Sequence, residues 1–300
     1  RAAEETISKY GGWVLSKMKD DRLRHKFVHL AIDLCTEGSL EETNGQSITV
    51  YCHAESFKTV FSLEPKIYHH FLSALCEKDP SKLSQTLWND LLQTTLLHDI
   101  KNLNKIVDHP NANYSTEQAL IILQEPAIML KDQKRKYDEA IKANKQDDPI
   151  LKTDINDIIT PLGYINRALI SLYEKRQVYT EILECIPPEQ IPSVCETYGK
   201  NDPHFWLEGL REAERRNKGV FIKDIVRRIH ENDLYPINSL LKPKNAFSEF
   251  TFDIFQEFVQ EDFAKMQDLI ASKQQELNSL EEQIEKDHAS IENLTNNYYT

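Results

Sequence analysis

Glycine is scarce in this chain, at 8 of 300 residues. Only Gly11 and Gly12 are adjacent, so no glycine-rich loop exists to cradle a phosphate. No C-x-x-C spacing occurs either. Cys35, Cys52, Cys76, Cys185 and Cys195 are scattered and odd in number. That argues against a disulfide framework or a zinc knuckle and for reduced thiols in a cytosolic protein. Long apolar runs are missing: the longest purely apolar one is Ala119 to Leu123, far below the roughly 20 residues a bilayer needs. No signal peptide is expected. Positive charge is in deficit, with 36 Lys and Arg against 48 Asp and Glu, a formal net charge of -12 and a pI near 5.4. Such a surface suits neither phosphate backbones nor anionic lipid, which argues against nucleic-acid binding and membrane insertion.

What is present is Leu, Glu, Lys, Ile and Ala, within a hydrophobic content of 40%. That balance predicts helix nearly throughout and a sizeable core. The chain begins at Arg1 in mid-helix pattern, as a piece of a longer protein would.

Ala2 to Met18 and Arg22 to Leu34 read as a helix pair, closed by Gly38. Trp13 is expected on the apolar face, as are Trp88 and Trp206. Residues 41–56 are polar, carry Asn44-Gly45 and read as a surface insertion with room for one short strand. Ile67 to Cys76 resumes the helices. Asp79-Pro80 reads as a cap with proline at the first helical position, opening a helix with Leu83, Leu87, Trp88 and Leu91. Leu103 to Tyr114 reads as a loop, and Ser115-x-x-Gln118 as a capping box. Residues 131–150 are dense in charge and read as a second insertion, a solvated helix or linker. Short amphipathic helices follow at Pro161–Lys175, Val178–Ile186, Glu189–Tyr198, Asp202–Leu210, Val220–Ile229 and Leu234–Leu241. Helix pairs about 30 to 40 residues long, joined by tight turns, are the pattern of an α-solenoid. The predicted architecture is therefore all-α: a solenoid over 1–245, then a Phe-rich segment and a long helix over 246–300. Six of the twelve phenylalanines lie between Phe247 and Phe263, a density that predicts burial.

The long helix carries a heptad pattern. Phe263, Ile270, Leu277, Ile284 and Ile291 recur every seven residues, with Met266, Leu280 and Leu294 on a second seam. Lys273 and Asp287 interrupt that second seam. So narrow an apolar stripe needs a second helix. It comes from another chain, or the helix folds back on its own domain.

Several stretches together resemble the class C vacuolar protein sorting family, nearest to its subunit-eleven branch in the HOPS and CORVET tethering complexes. They are Ala168-Leu169-Ile170-Ser171-Leu172-Tyr173-Glu174-Lys175, the Cys195 to Gly199 turn, Asp202-Pro203-His204-Phe205-Trp206 and Ile225 to Pro236, followed by the heptad helix. Gly209 stands where that pattern has alanine. The resemblance is strongest over 161–294. It implies a clathrin-heavy-chain-like solenoid, flanked in the family by a β-propeller and a RING finger that have no counterpart here. Zinc is expected only in that missing RING, so no cofactor is expected in this chain.

Chemistry is thinly represented. His98-Asp99 with His69 or His70 is the best set for a divalent metal, yet two adjacent residues match by chance often. Cys185 and Cys195 have no histidine beside them, and Lys134-Arg135-Lys136 is flanked by acids. The expected protein is not an enzyme but a scaffold subunit of an endosome–vacuole or lysosome tether that supports SNARE-mediated fusion, peripheral on the cytosolic face. By the resemblance, its partners are other class C subunits, met through Phe263, Met266, Ile270, Leu277, Leu280, Ile284, Ile291 and Leu294, and indirectly Rab GTPases and SNAREs. The alternative is a self-contained peptide-binding helical repeat of the co-chaperone type, whose heptad helix caps its own groove.

Overall fold

Scarce glycine and abundant Leu, Glu, Lys and Ala leave the backbone little alternative to helix. A computed structural model describes residues 2–43, 46–143, 148–200, 202–216, 219–232 and 249–298, with thirteen α-helices among them. The chain divides into two compact units, 1–185 and 186–300.

The N-terminal unit holds α1 (Ala2–Lys17), α2 (Asp21–Thr36), α3 (Lys58–Phe61), α4 (Pro65–Lys78), α5 (Gln85–His98), α6 (Leu103–Val107), α7 (Thr116–Lys142), α8 (Asn156–Arg176) and α9 (Ile182–Cys185). Neighbouring helices pair, α4 packing on α5 and α7 on α8. The pairs then stack, α2 on α4, α5 on α7 and α6 on α8. The core gathers Phe57, Phe61 and Phe71, with ring centroids 4.8 to 6.0 Å apart, around buried Leu72, Leu75, Trp88 and Leu91. The α7–α8 pair is pinned by Gln124 Nε2, which donates to the Tyr173 hydroxyl at 2.9 Å.

Caps fix where these helices begin. The Asp20 side chain accepts from Arg22 N–H and starts α2, and Ser115 accepts from Gln118 N–H and starts α7. Asp79-Pro80 does not open α5. Asp79 caps a single 3₁₀ turn, and Ser84 caps α5 by accepting from Leu87 N–H. Ser84 rather than Asp79 opens α5, with Leu83 between the two caps turned inward and buried. Gly38 follows α2 with φ of 76°, and a Cβ there would lie 2.7 Å from the Val50 carbonyl oxygen, so only glycine fits.

Other expectations are corrected. Trp13 does not pack in the core; it is 65% exposed. Helix α1 buries Gly11 and Leu15, and Trp13 lies two residues from each, about 200° around the helix. The stretch from Leu103 to Tyr114 is not all loop, because α6 forms where Leu103 and Val107, four apart, are both fully buried. Of the two readings of residues 131–150, the helix holds over 131–142, which continue α7 with Ala140 buried. Two strands form where one was expected: Ser39–Thr43 pairs antiparallel with Gln46–Val50. Helix α8 begins at Asn156, with Pro161 in its second turn.

The C-terminal unit holds α10 (Ile191–Tyr198), α11 (Pro203–Arg215), α12 (Gly219–Glu231) and α13 (Glu249–Tyr298). The Leu234–Leu241 helix expected from sequence lies outside the described residues. Asp202 accepts from His204 N–H with Pro203 at the first helical position, as its sequence predicts. Three residues separate α11 from α12, and both pack on α10. The fold class is thus an α-solenoid of helix pairs ending in a long helix, with one hairpin inserted.

Gly209 explains its own departure from alanine. A Cβ there would lie 2.3 Å from Cys195 Sγ, so the thiol occupies the space a methyl would take. Gly209→Ala is expected to destabilise by about 1–3 kcal/mol through overpacking. Adding Cys195→Ala should recover most of that loss, since the new methyl fills the space left by sulfur. Urea denaturation of both single variants and the double variant checks this; strictly additive costs would show that the two sites do not share that space.

Candidate partner-binding helix

No Gly or Pro interrupts residues 249–298, and α13 runs unbroken for 50 residues. At about 1.5 Å per residue that is about 75 Å. Its first turns are anchored within the unit. Thr251, Ile254, Phe255 and Phe258 are buried, and α13 packs here on α12, whose buried face is Ile222, Ile225, Val226 and Ile229. Polar contacts frame the anchor. Thr251 Oγ1 donates to Glu214 at 2.7 Å, Lys223 Nζ lies 3.3 Å from Glu257, and His230 Nε2 lies 3.1 Å from Asp262. The His230 ring also lies 5.5 Å from that of Phe258.

The anchor ends at Asp262. From Phe263 to Thr295 every side chain is exposed. The expected burial of the Phe-rich segment therefore stops short of its last member. Phe255 and Phe258 are buried, Phe263 is 63% exposed, and Phe247 lies outside the described residues. The reason is geometric: α12 ends at Glu231, and among the described residues no further helix packs on α13 beyond it.

The structure carries all eight predicted seam residues on this one continuous helix. Phe263, Met266, Ile270, Leu277, Leu280, Ile284, Ile291 and Leu294 are each 49 to 68% exposed. Sequence reading missed Leu269, which is 59% exposed and widens the apolar stripe beside Ile270. Its signal was present, three residues after Met266. On a straight helix a seven-residue repeat drifts about 20° per heptad, so the seam stays on one face only if the helix supercoils with another. The two charges that interrupt the second seam are held by neighbours on the same helix, Lys273 by Glu276 at 2.8 Å and Asp287 by Gln283 at 3.0 Å.

The candidate chemical groups lie elsewhere. The His69 and His98 rings are 6.2 Å apart, while Asp99 accepts from Asn102 Nδ2 at 2.6 Å. Among the described residues no group of three or more His, Cys, Asp or Glu is placed to hold a metal ion. All five cysteines are buried. Burial pushes the Cys195 thiol up to about 12 and the Cys76 thiol up to about 11, so neither is a thiolate near neutral pH. Lys134-Arg135-Lys136 is tied within α7 by pairs from Arg135 to Asp132 and Glu139 and from Lys136 to Asp132.

Histidines make the N-terminal unit sensitive to acid. His70 lies 4.9 Å from His25 and 6.0 Å from His29, ring to ring, and its Nε2 is buried without a hydrogen-bond partner. Burial, then His25 and His29, lower its pKa against the pull of Glu77. Burial also lowers that of His69; Asp99 opposes this, while His98 and His70 reinforce it. A lowered folded pKa means that the unfolded chain binds protons first. The contribution to stability is present above the unfolded value of 6.5 and is lost as pH falls through the lowered folded values. Denaturation measured across this range should show stability falling with pH, and His70→Gln should flatten the slope. An equal slope in the variant would remove His70 from the account.

Comparison with known proteins gives these features a context. A family described as the PEP5/VPS11 clathrin repeat matches residues 1–242. The vacuolar protein-sorting-associated protein 11 homolog of Arabidopsis thaliana is 20% identical over 322 aligned positions, which cover 97% of this chain and 34% of that protein. The chain thus spans about a third of the length of the curated relative it matches. No solved structure matches it. With paired helices in each unit and a family match over most of its length, the chain belongs to the PEP5/VPS11 clathrin-repeat family.

Proposed function

We propose that this chain is a non-catalytic scaffold segment of a class C vacuolar sorting subunit. Its solenoid supplies length, and α13 supplies assembly by pairing with a helix of another subunit of an endosome–vacuole or lysosome tethering complex of the HOPS and CORVET type. Through that complex it serves SNARE-mediated fusion on the cytosolic face of those membranes, meeting Rab GTPases and SNAREs indirectly. The observation that carries this reading is the seam. Eight apolar side chains in heptad register stand in water along a helix anchored only at its start. A helix that capped its own groove would bury that seam. Exposed apolar stripes of this extent mark protein–protein contact. Family membership supports the vacuolar sorting context.

The test is co-purification with the C-terminal half of a second class C subunit, using residues 1–300 and the same chain without 264–300. Binding that needs the helix is expected. Binding by both forms moves the interface onto the solenoid and overturns the role given to α13. Binding by neither overturns the scaffold reading.

A further inference from the structure

Two charges sit inside the apolar seam. In heptad register the second seam reads Met266, Lys273, Leu280, Asp287 and Leu294. Lys273 lies one heptad before Leu280 and Asp287 one heptad after it, so opposite charges flank the centre of the seam symmetrically. Their contacts with Glu276 and Gln283 on the same helix are solvent-exposed and exchange at little cost.

That symmetry makes the helix complementary to itself in one direction. Set Leu277 opposite Leu280 of a second, antiparallel copy. Every first-seam residue then faces a second-seam residue, from Phe263 against Leu294 at one end to Leu294 against Phe263 at the other, and all ten seam positions are matched. A slip of one heptad either way leaves eight. In the full register Lys273 of one copy and Asp287 of the other occupy neighbouring layers, about 4.5 Å apart along the axis. That is within reach of the flexible lysine stem, and the two-fold repeats the pair. Each charge that pairing desolvates therefore meets its counter-ion. At the flanks Glu276 comes beside Gln283 and Glu281 beside Gln274, carboxylate against amide. The parallel register sets Lys273 against Lys273, Asp287 against Asp287 and Glu276 beside Glu281, like charge against like.

The anchor leaves room for such a pair. Phe258, the last buried residue among those described in α13, precedes the seam by five residues. The matched layers then cover about 47 Å, and the two anchors stand at opposite ends of them.

We infer that α13 joins two copies of this chain antiparallel, with Leu277 against Leu280 on either side of the two-fold axis and Lys273 of each copy against Asp287 of the other. The apolar layers supply attraction, and the two ion pairs supply direction and register. The self-pair goes beyond the pairing with another subunit proposed above and does not depend on it. Both use the same seam, so they exclude each other. The chain on its own covers its seam with a second copy, and the helix of another subunit takes the seam by displacing that copy.

Sedimentation equilibrium of the 300-residue chain at micromolar concentration should give twice the 34.9 kDa monomer mass. The chain without 264–300 should sediment as a monomer. All five native cysteines are buried, so Glu292→Cys takes a spin label selectively. The two labels should lie about 40 Å apart along the axis, where a parallel pair would hold them within about 20 Å. K273E alone and D287K alone should each weaken self-association at least about tenfold, by setting like charges in neighbouring layers. Mixing the two variants should restore it, because one chain then carries two acids and the other two bases at these positions. A monomeric native chain overturns the self-pair and leaves the class C pairing, read by co-purification, untouched. A dimer that survives loss of 264–300, a short label distance, or a mixture no tighter than either variant alone overturns it as well.

Discussion

Trp206→Ala is expected to cost the C-terminal unit about 3–5 kcal/mol, enough to unfold a marginal domain. Trp206 is 2% exposed, in the first turn and a half of α11, between Phe205 and Leu207, both also buried. Truncation removes the largest side chain of that layer and opens a cavity that α10 and α12 cannot close without moving. It also removes a donor. Trp206 Nε1–H donates to the Gly199 carbonyl at 3.0 Å, and the bond is buried. An acceptor left without a donor there adds about 1–3 kcal/mol. The cavity and hydrogen-bond costs separate in Trp206→Phe, which keeps much of the volume and loses the bond. Chemical denaturation should rank the native chain above Trp206→Phe and Trp206→Phe above Trp206→Ala. A loss below about 1 kcal/mol in the alanine variant would mean that this layer repacks and that the tryptophan is not its keystone.

The second large effect is on assembly and leaves folding alone. Leu277→Asp combined with Ile284→Asp should weaken partner binding by at least about 100-fold, since central seam layers behave as interface hot spots. Both residues are exposed in the free chain, so no internal contact is lost. The remaining cost is helix propensity, about 0.5 kcal/mol per aspartate, spread over a 50-residue helix. Circular dichroism should therefore be nearly unchanged while co-purification fails. Unchanged co-purification would sink the seam as the contact, whatever the family.

Most of the solenoid was legible because amphipathic period and capping chemistry are local. Ser115, Asp202-Pro203 and the apolar rows of α8, α11 and α12 each specify their helix within a few residues. What was not legible depended on neighbours. Leu103 and Val107 make one buried turn beside α8, and nothing local distinguishes them from a loop ahead of His109-Pro110. Trp13 is large and apolar, yet α1, which packs on α3, buries Gly11 and Leu15 instead. The charge density after Lys131 left helix and linker both open, and the helix holds because Arg135, Asp132 and Glu139 satisfy one another along α7 at helical spacing. At the candidate site, the heptads showed which residues share a seam. They did not show that the anchor stops at Asp262, since that is set by where α12 ends.

The anchor has a mechanical consequence. A rod clamped over three turns and bare beyond is a cantilever. Leu294 lies about 54 Å from Phe258 at about 1.5 Å per residue, so each degree of tilt at the clamp swings the tip by about 1 Å. Load applied along the seam reaches the solenoid as torque on Ile254, Phe255 and Phe258, with the His230–Asp262 contact at the fulcrum. The handful of side chains that set the angle of departure thereby governs where the far end of the helix is held.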